Sequence, residues 1–171
     1  MAMCRAGNSP EERGFTLLEL VVVVFLIGLF SFLATPLLSG PGDAALTSSA
    51  RRLSETVKQL YNESALSGLE GRLIFNLEGG TYTARLLERD GTLRPLPGAG
   101  KDGKLRGDTR FAAVAVAGRG SNSRGEVVTE FSPAGWLPET VIHLQDGERQ
   151  LTLRLLSFTG TTEVYEGYRE F

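Results

Sequence analysis

A single carboxylate inside a long apolar run limits what this chain can fold into. Residues 15–39 read FTLLELVVVVFLIGLFSFLATPLLS, and Glu19 is the one charged residue among them. As a helix, this run would be about 37 Å long, more than the hydrocarbon core of a bilayer at about 30 Å. Arg5 and Arg13 precede the run and Asp43 is the first charge beyond it. This asymmetry predicts that the N-terminus stays in the cytoplasm and that the rest of the chain is exported.

A cleaved secretory signal and a plain signal anchor are the two simpler interpretations of this segment. A signal peptide has a shorter apolar core that ends in an A-x-A-like site, and the spacing of Ser31 and Ala34 does not provide one. An ionised carboxylate in a membrane costs several kcal/mol unless it is paired, so Glu19 is a functional candidate. Residues 15–39 contain no Lys or Arg, but cleavage just before Phe15 would create a positively charged α-amino group.

The residues around Glu19 resemble a known processing site. Residues 14–19, GFTLLE, are similar to the class III signal of type IV pilins and type II secretion pseudopilins. The resemblance implies that a prepilin peptidase cuts between Gly14 and Phe15 and methylates the new N-terminus of Phe15. It also implies that Glu19, the fifth residue of the mature chain, neutralises the N-terminus of a neighbouring subunit. Pro36 matches the proline that kinks the N-terminal helix in many members of this family.

The remaining sequence predicts one α+β domain beyond this segment. We divide the chain into a leader (1–14), a transmembrane and assembly helix (15–39), a second helical part (40–68) and a β domain (69–171). Gly40-Pro41-Gly42 is predicted to interrupt or kink the helix, with Asp43 as the cap of the next stretch and Gly68 as its end. An apolar stripe on that stretch is predicted to pack on a sheet: Leu46, Ala50, Leu53, Val57, Leu60, Tyr61 and Ala65.

Alternating residues and turn signals predict antiparallel strands after Gly68. Two strands, 72–77 and 81–87, flank a Glu78-Gly79-Gly80 turn, and the strands 140–145 and 148–156 flank Asp146-Gly147. Further strands are predicted at 111–117 and 127–131, while the glycine-rich stretches 96–108 and 118–125 are predicted to be loops. In the last strand, Leu151, Leu153 and Leu155 alternate with polar residues, which predicts one buried face. The fold class is therefore α+β, with a long N-terminal hydrophobic helix and an antiparallel β-sheet domain, a pilin-like fold.

Composition does not favour an enzyme or a cofactor site. Cys4 is the only cysteine and His143 the only histidine, so a disulfide and a zinc site both lack ligands. We predict His143 to be an ordinary surface residue and Trp136 to be a core anchor. The carboxylates in or near loops are predicted to be solvated: Glu88, Asp90, Asp102 and Asp108. Whether the aromatic residues Tyr165, Tyr168 and Phe171 pack back on the sheet or form a subunit contact stays open.

Residues 49–53 and 130–144 resemble the GspH/FimT branch of minor pseudopilins and minor pilins. The resemblance implies a structural subunit of a type II secretion pseudopilus, anchored in the bacterial inner membrane by a single pass, with its C-terminal domain in the periplasm. Its implied partners are major and minor pseudopilins, the prepilin peptidase and the inner-membrane assembly platform.

Two alternatives to the pseudopilin interpretation are kept. The first is a minor pilin of a type IV pilus, used in pilus assembly or DNA uptake; the second is an enzyme or sensor domain on a plain anchor. DNA binding would need clustered basic residues, for which the loops offer Arg106, Arg110, Arg119 and Arg124. The near balance of 18 basic and 20 acidic residues does not favour a nucleic-acid partner.

Overall fold

The computed structural model of the protein describes residues 17–38, 41–96 and 102–171, with side chains for 17–30, 44–96 and 102–171. The chain divides into two units, Met1–Gly40 and Pro41–Phe171. Helix α1 (Leu17–Leu38) belongs to the first unit, and all other described elements belong to the second.

Helix α2 (Pro41–Ser67) opens the second unit. It begins at Pro41, so Asp43 lies within its first turn and the prediction that Asp43 caps the helix is wrong. Proline is compatible with this place because the N–H groups of a first turn have no partner within the helix. The helix ends at Ser67, before Gly68 with its φ of 68°, and the Gly68 N–H donates to the Ser64 carbonyl at 3.1 Å. The predicted end of the helix is confirmed.

One face of α2 packs against the β-strands. Most of the predicted stripe is buried, namely Leu46, Ala50, Leu53, Val57 and Leu60. Tyr61 is partly buried against the core, but Ala65 is exposed. Ser64 is buried in its place, since the alternating steps of four and three residues along the stripe lead from position 60 to position 64. The Ser64 hydroxyl lies 2.5 Å from the Leu69 carbonyl oxygen and 3.0 Å from that of Phe131. These contacts satisfy a polar group that would otherwise be costly to bury.

Ten strands follow α2 in the described part of the chain. They are β1 (Glu70–Asn76), β2 (Thr81–Leu87), β3 (Leu93–Pro95), β4 (Asp102–Lys104), β5 (Arg110–Val116), β6 (Gly120–Asn122), β7 (Glu126–Phe131), β8 (Thr140–Asp146), β9 (Arg149–Leu155) and β10 (Thr162–Glu166).

The strands form two five-stranded sheets instead of the single sheet that the sequence predicted. In sheet A the order is β3-β2-β1-β7, and β4 also pairs with β2; in sheet B the order is β10-β9-β8-β5-β6. Every pairing is antiparallel. Both predicted hairpins, β1–β2 and β8–β9, are present. The α+β class, with a helix on antiparallel strands, is therefore confirmed.

Two predicted loops contain short strands, so both loop predictions are wrong in part. Residues 102–104 form β4 on the edge of β2, where Gly103 lies against the Tyr82 ring; a Cβ on Gly103 would come within 2.1 Å of the ring atom Cζ. Only glycine leaves room for that ring, so the residue that suggested a loop permits a strand. Residues 120–122 form β6, which completes a hairpin with β5.

Candidate assembly segment

Helix α1 is apolar around its whole circumference. Its sequence, LLELVVVVFLIGLFSFLATPLL, carries large aliphatic and aromatic residues on every side. The described side chains of this helix, at residues 17–30, are all exposed, and Leu17 for example is 82% exposed. Soluble monomers rarely expose a contiguous apolar surface of this kind, and such surfaces mark contacts with proteins or membranes. The chemistry of α1 is therefore that of packing against another apolar surface.

Glu19 lies in the first turn of α1 and is its one charged residue. A carboxylate at this end of a helix interacts favourably with the partial positive charge of the N-terminal N–H groups. The Glu19 side chain is exposed, as are the apolar side chains around it. Glu19 thus places one carboxyl group on an otherwise apolar surface.

Of the other predicted site residues in this segment, the structure describes only Pro36. Gly14 and Phe15 lie outside the described residues. Pro36 lies in the last turn of α1, which continues to Leu38. Within the part of the chain that the structure describes, no helix combines the length and the hydropathy needed to cross a membrane.

His143 is not the surface residue that we predicted. It is only 4% exposed, and its ring stacks on Tyr168 with the centroids 4.1 Å apart. Its Nδ1 lies 3.1 Å from the hydroxyl of Thr152 on the neighbouring strand β9. Burial lowers the pKa of His143 below its usual 6.5, and the nearby Glu170 acts in the opposite direction. The side chain is thus buried in its neutral form beneath an aromatic ring.

The C-terminal aromatic residues pack back on the protein, which is the first of the two arrangements that the sequence left open, while Tyr168 and Phe171 each stay 54% exposed. Tyr168 covers His143, and Phe171 lies 5.2 Å from Tyr165 between ring centroids. The Arg154 guanidinium lies over the Phe171 ring at 4.7 Å. Trp136 behaves differently, since its side chain is 50% exposed. The prediction that Trp136 anchors the core is therefore wrong.

Three of the four loop carboxylates take part in local surface contacts, and the fourth, Asp108, is exposed. Glu88 accepts a hydrogen bond from Arg94 at 2.6 Å, and Asp102 pairs with Arg85. The Asp90 carboxylate accepts bonds from Thr92, which lower the Asp90 pKa. Across residues 17–38, 41–96 and 102–171, no three His, Cys, Asp or Glu side chains are grouped as metal binding requires.

Four arginines were candidates for contacts with DNA phosphates, and Arg119 is already engaged within the protein. Its guanidinium donates to Glu130 at 2.8 Å and to the Val128 carbonyl at 3.2 Å. Arg106, Arg110 and Arg124 are exposed. Because Arg119 is paired with a carboxylate, it adds little net positive charge to that surface.

Comparison with known proteins identifies the motif and the fold. Residues 10–35 match the prokaryotic N-terminal methylation motif. The chain therefore carries the N-methylation motif of type IV pilin-like proteins, and its helix on antiparallel sheets is a pilin-like fold.

Two of the similar solved structures are of the same minor pseudopilin, EpsH. A crystal structure of the minor pseudopilin EPSH from the type II secretion system of Vibrio cholerae has a TM-score of 0.59 at 14% identity, covering 77% of this chain and 100% of that one. A second EpsH structure from the same system gives a TM-score of 0.54 at 13% identity, covering 71% of this chain and 96% of the other. The GspH/FimT resemblance of the sequence is consistent with this fold.

More distant comparisons add little. The type IV minor pilin FimU of Pseudomonas aeruginosa has a TM-score of 0.47 at 13% identity over 70% of this chain and 87% of that one, a likeness too weak to bear on function. No curated protein sequence matches the chain significantly.

Proposed function

We propose that this protein is a minor pseudopilin of a type II secretion system, a structural subunit and not an enzyme. The observation that carries the proposal is the methylation motif at residues 10–35, joined to a fold similar to that of EpsH. The exposed apolar side chains of α1 support it, because a helix of this kind is stabilised by packing against neighbouring apolar helices or lipid. On this proposal, α1 is the element through which the subunit joins a periplasmic fibre.

The proposed maturation follows the motif residue by residue. Prepilin peptidase cuts between Gly14 and Phe15 and then methylates the amino group of Phe15. Glu19 pairs with the N-terminal ammonium of another subunit, so that the charge is neutralised within the fibre. Pro36 removes one backbone donor near the end of α1 and bends the helix there.

The proposed location is the bacterial inner membrane, crossed once by residues 15–39. Arg5 and Arg13 keep the N-terminus in the cytoplasm, and the unit Pro41–Phe171 lies in the periplasm. Its partners are the major and minor pseudopilins, the prepilin peptidase and the inner-membrane assembly platform. The exposed apolar side chains of α1 support the pseudopilins as partners, because sister subunits carry a matching helix on this proposal.

Deleting the gene should stop secretion. We expect folded substrates of the secretion system to accumulate in the periplasm, and the wild-type gene in trans should restore their release. The assay compares substrate in the medium with substrate in the periplasmic fraction, alongside twitching motility or DNA uptake as a pilus readout. Loss of the pilus functions with normal secretion would contradict the proposal and would favour the minor-pilin alternative.

A further inference from the structure

Strand β10 is an edge of sheet B, because among the described strands it pairs with β9 alone. One hydrogen bond just beyond β10 shows which of its backbone groups face β9: the Gly167 N–H donates to the Gln150 carbonyl at 2.9 Å. Bonded and non-bonded pairs alternate along an antiparallel ladder. Glu163 and Tyr165, two and four residues before Gly167, therefore also bond to β9.

The other three residues of β10 direct their backbone groups away from β9. They are Thr162, Val164 and Glu166, and their N–H and carbonyl groups lie along the open edge. No hydrogen bond to another described residue uses these groups. A row of unpaired N–H and carbonyl groups at the edge of a sheet is a template on which another strand can pair.

The other sheet edges in the described part of the chain are short or covered. Strands β3, β4 and β6 have three residues each. On β7, the Arg119 guanidinium donates to the Val128 carbonyl at 3.2 Å, and the Ser132 N–H donates to the Trp136 carbonyl at 2.8 Å. Short edge strands and covered edges prevent pairing with other chains. β10 has five residues and neither form of protection.

The side chains of β10 define what can pair with it. Val164 lies opposite Leu153, on the core face of sheet B, yet Val164 is 49% exposed and Leu153 is fully buried. The charged residues of β10 are Glu163 and Glu166. Glu163 accepts a hydrogen bond from the Tyr165 hydroxyl, whereas Glu166 is exposed and has no ion pair with a described residue. A complementary strand would carry an apolar residue beside Val164 and a cation beside Glu166.

We propose that β10 is a docking edge, to which a neighbouring subunit of the fibre adds one strand. This inference rests on the proposed function, which makes the chain a fibre subunit. The occupant is a strand because the backbone groups of a helix are bonded within the helix, while an extended segment offers them to an open edge. The occupant comes from a sister subunit because a fibre grows through contacts between unlike surfaces of successive subunits.

Val164→Pro removes the backbone donor at the centre of the open edge. The Val164 N–H points away from β9, so its loss breaks no bond within sheet B, and proline is tolerated on edge strands in this orientation. The fraction of chain crosslinked to sister subunits in intact cells should fall by at least about fivefold, the effect of one lost hydrogen bond.

Val164→Thr is the matched control, because threonine keeps the N–H and the β-branched shape. Its crosslinked fraction should stay within about twofold of the wild type. Tryptophan fluorescence of both variants checks that they remain folded. If Val164→Pro unfolds, amide exchange of the wild type decides the question.

Amide exchange tests the same edge without a substitution. In the full mature chain in detergent, the Glu163 and Tyr165 amides should be protected, and the Val164 and Glu166 amides should exchange rapidly. In the fibre all four amides should be protected, which quenched exchange with NMR detection measures. This change at alternate residues is specific to the addition of a strand.

Three results would overturn the inference and leave the proposed function in place. They are equal crosslinking of wild type and folded Val164→Pro, rapid exchange of the Val164 and Glu166 amides in the fibre, and capture of a secreted substrate at this edge in place of a sister subunit. A wild type that crosslinks to no sister subunit would contradict the proposed function, and this inference with it.

Discussion

Replacing Glu19 by lysine is expected to leave cleavage intact and to abolish incorporation of the chain into a fibre. On the proposed function, Glu19 meets the N-terminal ammonium of another subunit among packed apolar helices. A lysine would place two cations together there, and breaking a buried ion pair costs about 3–5 kcal/mol. At 1.4 kcal/mol per factor of ten, the fraction of chain assembled should fall by roughly a hundredfold or more. Crosslinking to sister subunits in intact cells measures that fraction.

Glu148→Lys is the matched control for this experiment. It makes the same change of charge at an exposed turn between β8 and β9, and it should assemble like the wild type. Equal assembly of Glu19→Lys and wild type would contradict the role of Glu19. An equal loss of assembly in both variants would show that the effect comes from the change in net charge.

Phe75→Ala should strongly destabilise the folded unit Pro41–Phe171. Phe75 on β1 is 0% exposed and meets the Phe111 ring edge-on, at 5.7 Å between centroids and 77° between planes. Truncating a buried phenylalanine removes its transfer free energy and leaves a cavity, which together cost about 3–5 kcal/mol. Denaturant unfolding of the full chain, followed by the fluorescence of its single tryptophan, measures the change.

The same substitution at Phe158 provides the control. Phe158 is 79% exposed, so Phe158→Ala should change the free energy of unfolding by no more than about 0.5 kcal/mol. A loss at Phe158 comparable with the loss at Phe75 would contradict this description of the core.

The hairpins and most of α2 were predictable because their signals are local. The predicted turn between β8 and β9 is present one residue later, at Gly147-Glu148, and its first position requires a positive φ that Gly147 adopts at 59°. The alternation of Leu151, Leu153 and Leu155 correctly predicted a buried face on β9, although Leu151 is only partly buried. Each of these features depends on residues within one element or one turn, which is the range over which sequence patterns apply.

The burial of His143 and Thr152 was not predictable in this way. Both residues lie on the face that alternation predicts to be solvated, and they are buried because residues 167–171 cross that face. Ser64 was missed for a related reason, since its polar side chain continues an apolar stripe and finds its acceptors on Leu69 and Phe131. These contacts join residues far apart in sequence, so no local pattern reports them.

The short strands β4 and β6 show a second limit. Their residues, DGK and GSN, have no strand preference of their own. They become strands because β2 and β5 offer free edges. The candidate site is the opposite case: Glu19 and Pro36 are proposed from the motif and the apolar run alone, without any knowledge of tertiary contacts.

The mature N-terminus tests the central claim most directly. The full chain would be expressed with its prepilin peptidase, and its N-terminus determined by intact mass and terminal peptide sequencing. The proposed function predicts a chain that begins at N-methylated Phe15. A chain that retains residues 1–14, while the same peptidase cleaves a control pilin, would contradict the pseudopilin proposal and would favour a plain membrane anchor.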